Sequence, residues 1–181
     1  IDGKDVPLTT LDKNGNKIEN GEIPVAIELS SLKINKEDFT MTKGTSETLT
    51  VTGTPAEALE GQTITWKSSN KDVVTVDSKG KVEAVGVGNA TITATAAGKS
   101  DSVKITVNNP LKKITVDPAT LTLKKGTSKT LSVKYDPADT TDNKAVTWES
   151  SDKSVATVDA NGKVTALKDG SATITAKVGK L

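Results

Sequence analysis

One offset organises this chain. Residues 29–99 align with residues 111–181 without a gap, and about 30 of the 71 paired positions carry the same residue. Trp66 and Trp148 stand 82 positions apart, and the same offset carries Lys43-Gly44-Thr45-Ser46 to Lys125-Gly126-Thr127-Ser128 and Pro55-Ala56 to Pro137-Ala138. A repeat of this length contains enough strands to bury its own core, so the chain holds two small domains rather than two turns of a solenoid. It divides into an N-terminal segment at 1–28, a first domain at 29–108 and a second at 109–181.

Within each copy the apolar residues recur with a period of two. Leu49 and Val51 alternate with Thr48 and Thr50, Ile64 and Trp66 with Thr63 and Thr65, and Ala90, Ile92 and Ala94 with Thr91, Thr93 and Thr95. That pattern predicts half-buried strands with one face in water. Further strands are expected at Val73–Asp77, Lys81–Val85 and Ser102–Val107, separated by turn signals such as Lys43-Gly44, Asp77-Ser78-Lys79-Gly80 and Val87-Gly88-Asn89. No long helical period is present. Aromatic residues make up only 2% of the chain, so the core must be built from Val, Ile, Leu and Ala, which favours thin β layers. The expected fold is all-β, with about seven short strands per domain in an antiparallel sandwich with Greek-key connections.

The run W-x-S-S-[ND]-K-x-V-x-T-V-D-x-x-G-K-V-x-A, followed by G-x-A-T-I-T-A, starts at Trp66 and again at Trp148. It is preceded in both copies by K-G-T-S-x-T-L and a Pro-Ala loop. These motifs cover nearly all of both repeats and closely resemble the bacterial immunoglobulin-like domain, group 2. The resemblance implies two tandem immunoglobulin-like β-sandwiches without a disulfide. It also implies the settings of that family: bacterial surface proteins, adhesins of the intimin and invasin type, secreted polysaccharide-degrading enzymes and bacteriophage virion proteins, where the domain spaces, displays or attaches. On this basis Trp66 and Trp148 are expected on the apolar side of a central strand, filling the space a disulfide takes in antibody domains, with Ile92 and Ile174 in the same core.

The residue inventory excludes most chemistry. His and Cys are absent, which removes imidazole bases, thiol nucleophiles, disulfides and nearly every zinc or copper site. Every basic residue is Lys, and the net charge is +1, so neither the planar guanidinium fork nor the field that gathers nucleic acid is available. No apolar run approaches the length of a membrane span. The pairs Ser68-Ser69 and Ser150-Ser151 have no general base beside them and suit the turn leaving a strand. Asp77–Gly80 and Asp159–Gly162 each offer one carboxylate, far short of a calcium site, and read as hairpin turns with Gly at positive φ. Asp12–Glu22 imitates a calcium loop, but Lys17 stands where that loop needs Gly, and a hairpin on Asn14-Gly15 explains the letters better. Glu57 and Glu60 share one polar loop, whereas general acid and base roles need separated environments. A Lys–Asn crosslink is disfavoured because the lysines fall in turns or on outward positions; an intact mass equal to the sequence mass would eliminate it. No catalytic, cofactor or metal site is expected.

What remains concerns ends, joints and loops. The chain starts at Ile1, as a mature product or excised piece would, and "IPVAIEL" at 23–29 resembles the "SVKITV" of the first repeat, so 1–28 reads as the tail of a preceding β module. The second repeat stops before a counterpart of Asp101–Val107, which would expose a sheet edge. Either the parent chain continues or another chain donates the strand. Asn108-Asn109-Pro110 is too short a connection for free tumbling, so an elongated end-to-end pair with limited bending, monomeric as a chain, is expected. Three functions fit: a non-catalytic spacer or display module, with the flanking domains of its own chain as partners; an adhesin fragment; and a phage capsid or tail decoration. The adhesin would bind a glycan or a host or cell-wall protein through Thr54–Gln62 and Asp136–Lys144, with Glu57, Glu60, Asp139 and Asp142 as contacts. The expected location is the bacterial surface or extracellular space, or alternatively a virion.

Overall fold

The computed structural model describes residues 27–179. The hairpin assigned to Asn14-Gly15 and the rejected calcium loop lie outside them. Nine strands form the first unit: β1 (Ser31–Ile34), β2 (Phe39–Thr42), β3 (Ser46–Thr48), β4 (Val51–Thr54), β5 (Thr65–Ser68), β6 (Val74–Val76), β7 (Lys81–Ala84), β8 (Gly88–Ala96) and β9 (Lys99–Asn108), with a short 3-10 turn at Ala56–Leu59. One layer runs β2-β9-β8-β5, and the other contains the pair β1-β4 and the ladder β3-β7-β6. All pairings are antiparallel except β2 with β9, which is parallel.

The alternation in sequence becomes burial. Along β8, Ala90, Ile92, Ala94 and Ala96 face inward, and along β9 Val103, Ile105 and Val107 do the same, meeting Ile34, Leu49, Val74 and Val82 of the other layer. Full burial of each Val, Ile or Leu side chain contributes about 1.5–3 kcal/mol, and each Ala less. The Trp assignment needs correction in one respect. β5 is the outer strand of its sheet, so Trp66 is half-buried at the border of the core rather than at the centre of a sheet. Trp148 on β13 is half-buried in the same way.

The second unit repeats the plan with seven strands: β10 (Lys113–Asp117), β11 (Ser128–Thr130), β12 (Ser132–Asp136), β13 (Val146–Ser150), β14 (Ala156–Val158), β15 (Lys163–Ala166) and β16 (Ile174–Val178). Two stretches that align with strands of the first unit are not strands here: Leu121–Lys124, the counterpart of β2, and Gly170–Thr173, the counterpart of the first half of β8. The registers explain both. β2 pairs only with β9, and Gly88–Thr91 of β8 pairs only with Val107–Lys104 of β9, whereas Ile92–Thr95 also pairs with β5. With no β9 counterpart among the described residues, the ladders that depend on it do not form.

Burial follows the same logic. Ile92 is 0% exposed, but Ile174 at the equivalent position is only half-buried. Ile92→Ala is therefore expected to destabilise the first unit by about 2–5 kcal/mol, and Ile174→Ala the second by clearly less. Urea unfolding followed through the one Trp of each unit, with the other changed to Phe, measures the two separately.

Candidate functional site

The two serine pairs and the Asp-Gly loops have structural partners. Ser68 Oγ donates to the Val74 carbonyl at 2.6 Å and accepts from the Asn70 N–H, while Ser69 Oγ accepts from the Thr91 N–H at 2.8 Å. Ser150 and Ser151 repeat this with the Ala156 carbonyl and the Thr173 N–H. These hydroxyls fasten the loop after the Trp strand to its neighbours. In the hairpin that joins β6 to β7, Asp77 Oδ1 accepts from the N–H groups of Lys79 and Lys81, and Asp159 does the same for Asn161 and Lys163 between β14 and β15. The N–H groups of Lys81 and Lys79 hold the Asp77 carboxyl below its ordinary range. Hydrogen bonds from Ser154 hold Asp152 below its range in the same way. Among the described residues no group of three or more acidic, His or Cys side chains is placed to hold a metal. Nor is any helix among them long and apolar enough to cross a membrane.

The polar cluster with consequences lies where the two units meet. Asp139 and Asp142 belong to the loop between β12 and β13. Asp139 Oδ2 takes a 2.7 Å contact from Lys43 Nζ of the first unit, and its Oδ1 accepts from Asn109 Nδ2 of the connection at 2.8 Å. Asp142 Oδ2 accepts from the Leu111 N–H at 2.8 Å. Between these contacts the backbone of Asn109 is held in both directions: its N–H donates to Thr141 Oγ1 at 3.1 Å, and its carbonyl accepts from the Thr141 N–H at 2.9 Å. Asn109 and Thr140 are buried although both are polar. Thr140 Oγ1 accepts from the Asp142 N–H, which closes the loop on itself. The Asn108 carbonyl accepts from the Lys43 N–H, anchoring the end of β9 to the turn after β2.

Lys43 and Asp139 are both substantially exposed, so their Coulomb attraction is screened by solvent. The constraint comes chiefly from the hydrogen bonds that fix the connection's own backbone. Lys43 nevertheless holds the Asp139 carboxyl below its ordinary range.

The four loop acids are therefore not alike. Asp139 and Asp142 are engaged with the connection, whereas Glu57, in the 3-10 turn, and Glu60, just after it, are exposed on the first unit. From sequence Lys43 was named only as a turn residue, Asn109 only as part of the connection, and Thr141 only within the loop Asp136–Lys144. A signal for the corner does exist: the offset that relates the copies pairs Glu57 with Asp139 and Glu60 with Asp142, so an acid stands at both positions in loops that diverge after their shared Pro-Ala.

Comparison with known proteins agrees with the repeat. Over 105 residues the chain is 41% identical to a lacto-N-biosidase of Bifidobacterium bifidum, covering 56% of this chain and 9% of that protein. Over 80 residues it is 39% identical to a minor capsid protein of Enterobacteria phage T3, covering 44% of this chain and 18% of that protein. A crystal structure of the S-layer protein rSbsC is 24% identical, with a TM-score of 0.38, over 87% of this chain and 27% of that one. The chain thus spans less than a fifth of either curated relative. The family model for the bacterial Ig-like domain (group 2) matches residues 29–107 and again residues 110–180, so the chain belongs to that family as two tandem copies.

Proposed function

We propose that this chain is a non-catalytic spacer or display segment of a bacterial cell-surface or secreted protein, in which two sandwiches are locked end to end. The observation that carries this reading is the joint: Lys43, Asn109, Thr141, Asp139 and Asp142 tie the first unit, the connection and the second unit together. A short connection with hydrogen-bonded backbone transmits orientation, which is what a spacer needs and a flexible tether lacks. Two further points support it. The hydroxyls and carboxylates that could suggest catalysis are bonded within turns, and the relatives that match carry unrelated names, a lacto-N-biosidase and a minor capsid protein. The adhesin reading loses Asp139 and Asp142 as free contacts and rests on Thr54–Gln62 of the first unit.

The test is the relative alignment of the units. In the native chain, residual dipolar couplings from both units are expected to fit one alignment tensor. In Asp139→Ala/Asp142→Ala each unit stays folded but needs its own. One shared tensor in the variant, or two in the native chain, overturns the locked-joint reading. The sign of the pH effect follows from the depressed Asp139 pKa. The carboxylate's contribution is complete above its unfolded value near 3.8 and is lost as pH falls through the lower folded value. The Lys43–Asp139 contact therefore holds from neutral pH down into the acid range and loosens only below the ordinary carboxylate region.

A further inference from the structure

In the first unit the strands nearest its two chain ends lie side by side and point the same way. β2 pairs with β9 in parallel, with Phe39 opposite Ile105, Thr40 opposite Thr106, Met41 opposite Val107 and Thr42 opposite Asn108. Bonds outside the ladder lengthen this seam at both ends. The Ile34 N–H donates to Asp101 Oδ2, the Lys104 N–H to Asp38 Oδ1 and the Lys43 N–H to the Asn108 carbonyl, each at 2.8 Å. Ile34 ends β1, so the chain is fastened to β9 from there to the turn after β2, across the point where it passes from one layer to the other. The inner side of the seam is apolar: Met41, Ile105 and Val107 are buried and Phe39 is half-buried, so water competes for its bonds from one side only.

Direction decides what such a seam does under tension. Tension along the chain enters β1 at Ser31 and leaves β9 at Asn108. Because β2 and β9 are parallel, those points lie at opposite ends of the seam, and drawing them apart slides one strand along the other. The bonds then share the load and fail together. β1 is loaded along its axis as well, since it lies antiparallel to β4 with Ser31 opposite Thr54 and Ile34 opposite Val51. The Ser30 N–H and Oγ both donate to the Thr54 carbonyl at 2.7 Å, which holds the entry point. A hairpin pulled by its two chain ends behaves differently: both ends lie at one end of the ladder, and the pairs open in turn.

We propose that the first unit is a load-bearing module, in which the β2–β9 seam acts as a shear clamp that carries tension along the chain without opening. This goes beyond a spacer, which has only to set a distance. It does not rest on the locked joint, because Asn108 is the last residue of β9 whether or not the connection bends.

The test is single-molecule pulling on the whole 181-residue chain in two directions. The chain has no Cys, so two introduced ones give unique handles, and Glu28, Ser46 and Lys112 are exposed positions for them. Glu28→Cys with Lys112→Cys loads the seam from opposite ends. Ser46→Cys with Lys112→Cys places both handles beyond the Lys43–Asn108 bond, at the same end, and peels β2 from β9. Forced opening follows the barrier to unfolding, so at one pulling rate the opening force is expected to be at least about twofold higher in the first geometry. A smaller ratio overturns the proposal. Urea midpoints of the first unit should match between the two handle variants, so that the difference in force reports direction and not stability. Adding Asp38→Ala/Asp101→Ala removes both side-chain acceptors; it should lower the force in the first geometry and leave it unchanged in the second, where the seam gives way from its other end. An equal proportional fall in both geometries would overturn the clamp as drawn.

Discussion

Ile105→Glu is expected to leave the first unit largely unfolded at 25 °C while the strands of the second persist. Ile105 is 0% exposed and sits mid-strand in β9, the one strand that pairs with both β8 and β2. A carboxylate there has neither water nor a cation among its core neighbours, so it must be desolvated, be neutralised, or pull β9 out of the sheet. Each route costs several kcal/mol, and pulling β9 out also removes Val103 and Val107 from the core. A loss above about 4 kcal/mol is a large part of the ~5–15 kcal/mol that holds a domain of this size together. The second unit shows which parts fail first: β2 and the start of β8 should lose amide protection ahead of β6 and β7. Trp66 fluorescence in a Trp148→Phe background, followed through urea, measures the loss. A midpoint within error of the parent would show that β9 does not carry the core.

The second large effect is expected from the hairpin glycines. Gly80 has φ +79° and Gly162 has φ +77°, a conformation that strains any other L-residue. Space is also missing. A Cβ at Gly80 would lie 2.4 Å from the Leu49 carbonyl oxygen and 2.9 Å from Trp66 Cζ2, and one at Gly162 would lie 2.8 Å from Trp148 Cζ2 and 2.9 Å from the Leu131 carbonyl oxygen. The obstructing oxygen belongs to a backbone held in place, since the Leu49 and Leu131 N–H groups bond to the Gly80 and Gly162 carbonyls. Backbone strain and overpacking together should make Gly80→Ala and Gly162→Ala each cost about 3 kcal/mol, or a fall of more than ~10 °C in the melting temperature of the unit concerned. Gly44→Ala and Gly126→Ala are the controls: φ is positive but nothing lies within 4 Å, so about 1 kcal/mol is expected. Equal losses at all four positions would show that conformation alone, and not the Trp contact, sets the requirement.

That contact also clarifies the motif. In W-x-S-S through D-x-x-G-K, the distant Trp and Gly are one packing unit: the indole rests on the hairpin where no Cβ intervenes. The Asp of the same motif closes the hairpin, and the first Ser bonds the carbonyl of the residue that opens β6 or β14. The crowded stretch is a set of mutually dependent structural contacts.

The alternation of Thr with aliphatic residues, the turn residues and the 82-residue offset were sufficient to determine two all-β units, their class and most strand positions, because period-two patterning and turn chemistry are local properties of the chain. The lack of His, Cys and Arg likewise restricted the available chemistry without reference to a fold. Three matters needed the tertiary structure. Trp66 was expected on a central strand from the family resemblance, whereas its phase with Ile64 specifies a face of the sheet and not a place in the strand order. Leu121–Lys124 and Gly170–Thr173 resemble their counterparts, yet a strand exists only where a neighbour completes its hydrogen bonds, and their counterparts' neighbour is β9. Asp139 and Asp142 looked like surface acids on a variable loop, and only folding both units brings Lys43, 96 residues away, and Asn109 within hydrogen-bonding distance of that loop. Local pattern determines what each segment can become; partners remote in sequence decide which segments do, and whether a charged loop faces solvent or joins two domains.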